Sequence, residues 1–457
     1  MLGSSINKET DVSFDENDIN DENDKDVILE TLRNNSLSSV KSYLSINNNS
    51  TLSAVLNICS SAIGAGCLSL PHCLDSAGIF NSFIVFIFIA GCIYYSLELL
   101  RSFLVDTKYS SFSVMTETVL GKKWLIVYSL TSFLCYFSVN INYMIVNYSI
   151  FRKIYSNSGW ERYVFGILFL LVTYVIEIIL CLFTRKINKI YILSLIVIIV
   201  FFIFIIILII GGFDGFSTEK FSFEKFFNPF NGKKPYEILF EIISTSITYI
   251  YTFAYHSTYP TFLSNVSPDQ KTSKKVNLIS FGIICISYII ISFFGYLFKK
   301  EVPEVLFLKE VEDSDKNFIN IFIQIMVFIM LFSLIPFRHI TIRDGYKGLI
   351  SKEKFNNRID LILTAVFLFI ANLIVFIDAE IFEDGTHDYK ILEIFINILG
   401  GFLGVILCFL LPVINFAAIN GKTKIKSIIG YIISIFFIIV VIISAYYSIY
   451  KFINSKI

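Results

Sequence analysis

Eleven apolar stretches, each of about twenty residues or more, divide this chain and leave it few ways to fold. They run over residues 52–74, 79–103, 124–151, 162–183, 190–212, 236–261, 276–298, 317–341, 359–379, 390–416 and 428–451. Segments of that length match the hydrocarbon core of a bilayer, which only helices or closed barrels cross with every backbone amide satisfied. Composition argues against a soluble globule. Of 457 residues 55% are hydrophobic and 16% charged, with a mean hydropathy of +0.71, so polar surface is too scarce for a water-facing shell. The chain reads as an all-α integral membrane protein, multi-pass, with residues 51–457 forming the membrane domain and the lipid bilayer as its surroundings.

Residues 1–50 differ sharply. They carry ten acidic and four basic residues, including Asp15-Glu16-Asn17-Asp18, and have no apolar face to bury. This predicts a disordered acidic tail without a cleavable signal, so the first span directs insertion. An odd number of spans puts the termini on opposite sides. A cytosolic N-terminus leaves Arg185, Lys186 and Lys189, then Lys271, Lys274 and Lys275, then Arg338, Arg343 and Lys347 on the inside. The loop after the ninth span, with Asp378, Glu380, Glu383, Asp384 and Asp388, then lies outside, as the positive-inside rule favours. The outside loop 213–235 runs against it, with four lysines. Whether the membrane is the plasma membrane or an internal one is not legible.

Formal net charge is zero, 37 basic residues against 37 acidic, which removes nucleic acid as a partner. The eight cysteines all sit in or beside apolar stretches with no CxxC pair, as small core residues do, and no metal site is expected.

The first span interrupts itself. Asn57 to Ile79 is long enough to cross a bilayer yet holds Gly64-Ala65-Gly66 and Pro71. A broken spanning helix exposes amides and carbonyls at membrane depth, which is tolerable only around a polar cavity, and that is where a small solute binds. Close helix packing is the plainer use of small residues, and for Gly400 and Gly404 in helix ten packing is the preferred reading. Ten spans divide into two sets of five with one appended. In a five-plus-five inverted repeat, helices one and six are both discontinuous and flank the substrate. Helix six has no glycine, and its candidate break is the polar and aromatic stretch from Thr252 to Pro260.

Charges inside spans are costly and start as functional candidates. Glu98 and Glu177 lie near the inner ends of their helices, where they either snorkel or pair with a nearby Arg101 or Arg185, and Glu241 lies near the outer interface. His256 reads either as a proton gate or as an interfacial histidine facing water. Pro336 and Ser333 of helix eight suit either a small cation or a proline kink with Arg338 as its flank.

The chain resembles the amino acid/auxin permease family of the amino acid, polyamine and organocation transporters. Asn57 to Ile79 is similar to that family's first helix, and weaker matches follow at Tyr255-His256 with Pro260, Pro336 with Arg338, and Gly400-Gly401 with Pro412. The resemblance covers about residues 50–451. It implies a secondary active amino acid transporter, a symporter or uniporter working by alternating access. Unwound backbone at Ala62, Ile63, Gly64, Ala65 and Gly66, together with Thr252, Phe253 and Tyr255, would hold the substrate. The aromatic residues lean toward neutral or aromatic amino acids. A coupling ion would lie among Ser60, Ile63 and Ser333. Sodium-coupled members often carry asparagine where Ser60 stands, so sodium, protons or no coupling all stay open, and no other cofactor is implied.

Three other classes compete with this reading. A channel would need a span that repeats a ring-forming polar stripe, and none does. An amino-acid-sensing receptor would use the same site, with a cytosolic partner on the acidic tail. A membrane-embedded transferase needs a clustered acid, base or metal set. His72, His256, His339 and His387 are scattered instead, so no enzyme is expected.

Overall fold

The computed structural model describes residues 51–107, 111–154, 160–185, 187–217, 234–264, 270–298, 318–350, 355–381, 400–421 and 424–454. The acidic tail, residues 218–233 of the loop 213–235 and the acidic loop beyond Ile381 lie outside them, as do the first residues expected for helix ten; Asp378 and Glu380, expected in that loop, belong to the end of helix nine.

Among the described residues eleven spans appear, all helical. Nine are continuous helices long and apolar enough to cross a membrane. They are helices two (Ile79–Thr107), three (Lys122–Ile154), four (Trp160–Phe183), five (Ile187–Ser217), seven (Gln270–Phe298), eight (Phe318–Leu349), nine (Asn357–Ile381), ten (from Gly400 to Asn420) and eleven (Ile425–Asn454). The other two are broken: helix one runs Thr51–Ala62, Ala65–Leu68 and Leu70–Ala77, and helix six Pro235–Thr252 and Tyr259–Leu263. Large apolar side chains such as Ile87, Leu130, Ile210 and Ile432 stay exposed along the outer faces, where lipid covers them. Residues near the bundle axis are buried as in a soluble core.

Helices one, two, six and seven pack on one another, and helices three, four, eight and nine form a second group; helix five touches one, seven and eight. Polar side chains pin both groups. Arg101 grips Glu98 through Nε and Nη2 at 2.8 and 2.6 Å, and its Nη1 reaches Gln270 and Ser273 of helix seven. Asn277 adds a bond to Glu98 at 3.4 Å. Helix seven therefore begins at Gln270, six residues before the apolar reading places it, because its first polar residues point inward at this ion pair. Glu177 does not meet Arg185. It is buried and accepts from Asn372 Nδ2 at 3.0 Å, while Arg185 bonds Asp360 at 3.0 Å.

Helix ten contains a π-helical turn, Ile406–Leu410, just before Pro412. Proline has no N–H for the carbonyl four residues back, that of Cys408, and Ser96 Oγ of helix two donates to that carbonyl instead. Of the helix-ten glycines, Gly400 and Gly401 abut Tyr251 and Ile247 of helix six, whereas Gly404 faces open space. Packing is thus made by adjacent glycines rather than by the GxxxG pair.

One element is not foreshadowed by apolar length. Phe112–Leu120 is a short helix between helices two and three, capped by Ser111 Oγ on the Val114 amide at 3.3 Å. Phe112 stacks on Tyr128 at 4.9 Å, and Gly121 (φ 86°) supplies the left-handed residue that turns the chain into helix three.

Candidate functional site

The break in helix one falls at Ile63 and Gly64. Gly64 is fully extended (φ −171°, ψ −177°), a backbone any residue adopts, so the need for glycine is one of space. A Cβ there would collide with Tyr143 Oη and stand 3.0 Å from Arg338 Nη2. A Cβ on Gly66 would lie 2.8 Å from Thr252 Oγ1 and 3.1 Å from Thr252 Cα. Gly64 therefore lets helices three and eight reach the unwound segment, while Gly66, expected in unwound backbone, lies in the short helical piece Ala65–Leu68, where helix one comes close to helix six.

Helix six leaves helical geometry without glycine. After Thr252 the Phe253 backbone (φ −89°, ψ 9°) tightens into a turn in which the Tyr255 amide donates to Phe253 O at 2.9 Å. Thr258 Oγ1 bonds Tyr255 O at 2.9 Å, and Pro260 starts the following helical turn, where a missing N–H costs nothing.

The two breaks are tied together by residues that the sequence did not single out. Tyr288 of helix seven places its hydroxyl 2.8 Å from Ala62 O and 3.1 Å from Thr252 O, so one phenol serves a freed carbonyl from each break. Tyr136 of helix three reaches Ala254 O at 3.3 Å. Tyr288→Phe should cost about 1–3 kcal/mol by stranding buried carbonyls, measurable as a lower melting temperature in detergent.

Between the breaks lies a cavity lined by Ala62, Gly64, Gly66 and Thr252, with Tyr136, Tyr143 and Tyr251 as aromatic walls and Arg338 as the one charged member among the described residues. Its centre has room for about one water molecule, so a larger solute enters only if the lining moves.

Arg338 is the main departure from expectation. Helix eight continues through Pro336 to Leu349, so Arg338 is a mid-helix residue, 5% exposed, and not a flank in an inside loop. Its Nε and Nη2 donate to Tyr143 Oη at 3.1 and 3.0 Å, and Nη2 also reaches Ile63 O at 3.2 Å. The guanidinium carbon lies 5.7 Å from the Tyr136 ring centre and 5.8 Å from that of Tyr143. Neither its PxR spacing nor its apolar flanks distinguish it from an interfacial arginine; only the helix's continuation does.

The other expected residues divide. Ala65 has no described side chain, and Ile63 contributes its carbonyl to Arg338 rather than lining the cavity. Phe253 and Tyr255 are fully buried elsewhere: Phe253 packs against Phe86, Phe281 and Tyr288 with ring centres 5.7, 5.9 and 5.1 Å away. Ser60, Ile63 and Ser333 are not joined by bonds; Ser60 Oγ donates to Ser194 O of helix five at 3.1 Å, and Ser194 Oγ to Asn57 at 2.6 Å. His256 does not face water. It is wholly buried in the helix-six break, and neither ring nitrogen has a hydrogen-bond partner among the described residues.

Two discontinuous helices meeting at a central cavity, at equivalent positions in two sets of five spans, define a membrane transporter of the five-plus-five inverted-repeat fold. The chain belongs to the transmembrane amino acid transporter protein family, whose sequence model matches residues 47–454. Its fold is similar to that of the manganese transporter of Eremococcus coleocola, solved with an aromatic bis-isothiourea substituted compound. The two are 11% identical over 88% of this chain and 94% of that one, with a TM-score of 0.50. It is also similar to a Na+-coupled sialic acid symporter in a substrate-bound outward-open state, at 13% identity, 87% and 90% coverage and a TM-score of 0.53. At such identities the likeness is one of fold. No curated protein matches the chain in sequence.

Proposed function

We propose that this protein moves amino acids across a membrane by alternating access, with its N-terminus in the cytosol and neutral or aromatic amino acids as substrates. The observation that carries this reading is the cavity between the two breaks, held by Tyr288 and closed by Gly66 against Thr252. Backbone freed at both breaks supplies polar groups without side-chain charge, and three tyrosines supply an apolar wall. Among the described residues no acidic side chain lines the cavity to receive a cationic substrate. Helices one and six, with two and seven, would tilt against the other group, and substrate shifts which face is open.

Coupling to sodium is the less favoured arrangement. The Ile63 carbonyl, one of the three groups expected to hold a coupling cation, already accepts from Arg338, and a fixed guanidinium repels a second cation at that oxygen. We expect uptake to proceed unchanged when sodium is replaced by N-methylglucamine.

The test is uptake of a panel of labelled amino acids into vesicles holding the purified protein, with sodium and pH gradients imposed separately. Uptake of neutral amino acids without sodium is the expected result; steep sodium dependence would overturn the coupling reading alone. Binding without flux would favour the sensor over the transporter.

A further inference from the structure

We propose that Arg338 is the receptor for the carboxylate of the transported solute, so that the site selects amino acids over the amines that lack that group. This rests on the transport reading above.

The argument begins with charge. A guanidinium buried in a membrane protein is costly unless something neutralises it, and an ionisable residue at that depth marks a functional site by default. Among the described residues no carboxylate comes within ion-pair distance of Arg338. Its partners are a phenol hydroxyl, a backbone carbonyl and two aromatic faces, all neutral. By contrast Arg101, which is buried, and Arg185 and Arg343, which are half-buried, each meet a carboxylate at 3.0 Å or less.

Geometry says where the missing anion goes. Arg338 has five N–H groups. The one on Nε and those of Nη2 are spent on Tyr143 and Ile63, which fix the plane of the group. Nη1 carries two more and makes no hydrogen bond among the described residues, and the side chain lines the cavity between the helix-one and helix-six breaks. Gly64 keeps the approach open, since a Cβ there would stand 3.0 Å from Nη2. A solute carboxylate in the cavity completes the ion pair that the protein itself leaves unmade, and the two tyrosine faces keep the guanidinium from turning to another partner. The pair forms only with solute bound, so the unpaired charge also discourages the empty cavity from collapsing into an apolar contact.

The test uses wild-type, Arg338→Lys and Arg338→Gln protein in vesicles, each checked for melting temperature. Uptake of a labelled mixture of neutral amino acids is competed by three matched pairs: alanine and ethylamine, leucine and isopentylamine, phenylalanine and phenethylamine. In wild type the amino acid of each effective pair should compete about 100-fold better than its amine, the worth of a charge-assisted hydrogen-bonded pair. That ratio should fall in Arg338→Lys, which keeps the charge and loses the fork, and approach one in Arg338→Gln. A merely structural arginine would lower the amount of folded protein and leave the ratio untouched. Should Arg338→Gln fail to fold, the ratio in Arg338→Lys decides. A ratio unchanged in the folded variants, or amines competing equally in wild type, overturns the assignment while leaving transport standing. Absence of both uptake and binding of the mixture in wild type removes the transport reading and this assignment with it.

Discussion

Replacing Gly66 by leucine is expected to abolish uptake while leaving the protein inserted in the membrane. Even a single Cβ at this position would stand 2.8 Å from Thr252 Oγ1, 3.1 Å from Thr252 Cα and 3.2 Å from Tyr251 Cδ1. The first of these is a side-chain atom that itself bonds Thr248 O at 2.7 Å, and the second is backbone, so neither yields cheaply. A leucine would push helix one away from helix six at Thr252 and fill a cavity whose centre holds about one water molecule. The expected readout is loss of uptake in vesicles with unchanged membrane extraction and gel-filtration behaviour. A bulkier side chain, Gly66→Trp, should act in the same direction. Gly66→Ala should be milder, and Thr252→Ala in the same chain should restore part of its activity by removing Oγ1. Normal transport by Gly66→Leu or Gly66→Trp would take helix one out of the solute path.

Asp360→Ala should destabilise the protein by about 3 kcal/mol, the cost typical of breaking a buried ion pair from one side. The Asp360 carboxylate, 2% exposed, accepts from Arg343 Nη2 at 2.6 Å, Arg185 Nε at 3.0 Å and Tyr346 Oη at 2.8 Å. It thereby clasps helices four, eight and nine at the end of the bundle where helix one starts. Removing it leaves two guanidinium groups without their anion in a region that water reaches only partly. Melting in detergent measures the loss, and Asp360→Asn should be the gentler change because it keeps an acceptor for Tyr346. A shift within error for Asp360→Ala would mean that the clasp is solvated and adds little.

Both predictions depend on features of different legibility. Gly66 stands out in the sequence because Gly64-Ala65-Gly66 and Pro71 interrupt a span, and a broken span needs a reason. Asp360 does not stand out: it is one acidic residue at the start of an apolar stretch, and its partners Arg185 and Arg343 look like flanks facing water. The same blindness moved Arg338 to a loop and delayed helix seven to residue 276 instead of 270. In each case a polar residue was taken as a sign of water. Within a bundle of eleven spans it can equally be a sign of another polar residue on a neighbouring helix, and sequence carries no record of which helices are neighbours. Phe253 and Tyr255 differ from expectation in the other sense. They lie in the second break, but both are fully buried, Phe253 against the rings of Phe86 and Tyr288.

That this chain lies in a membrane, that it is divided into eleven spans, and that its first helix breaks at Gly64-Ala65-Gly66 can all be read from the order of its residues. Those conclusions follow from lengths and local backbone physics: a bilayer has a thickness, an apolar run of the right length crosses it, and glycine with proline interrupts a helix. Only the tertiary structure decided which groups meet at the break. That Tyr288 joins its two carbonyls, that Tyr143 and Ile63 hold a buried Arg338, and that Asp360 pairs with Arg185 rather than Glu177, all depend on contacts between helices far apart in the chain. Hydropathy records only how much a residue prefers to leave water, whereas the partner it finds after leaving is set by packing.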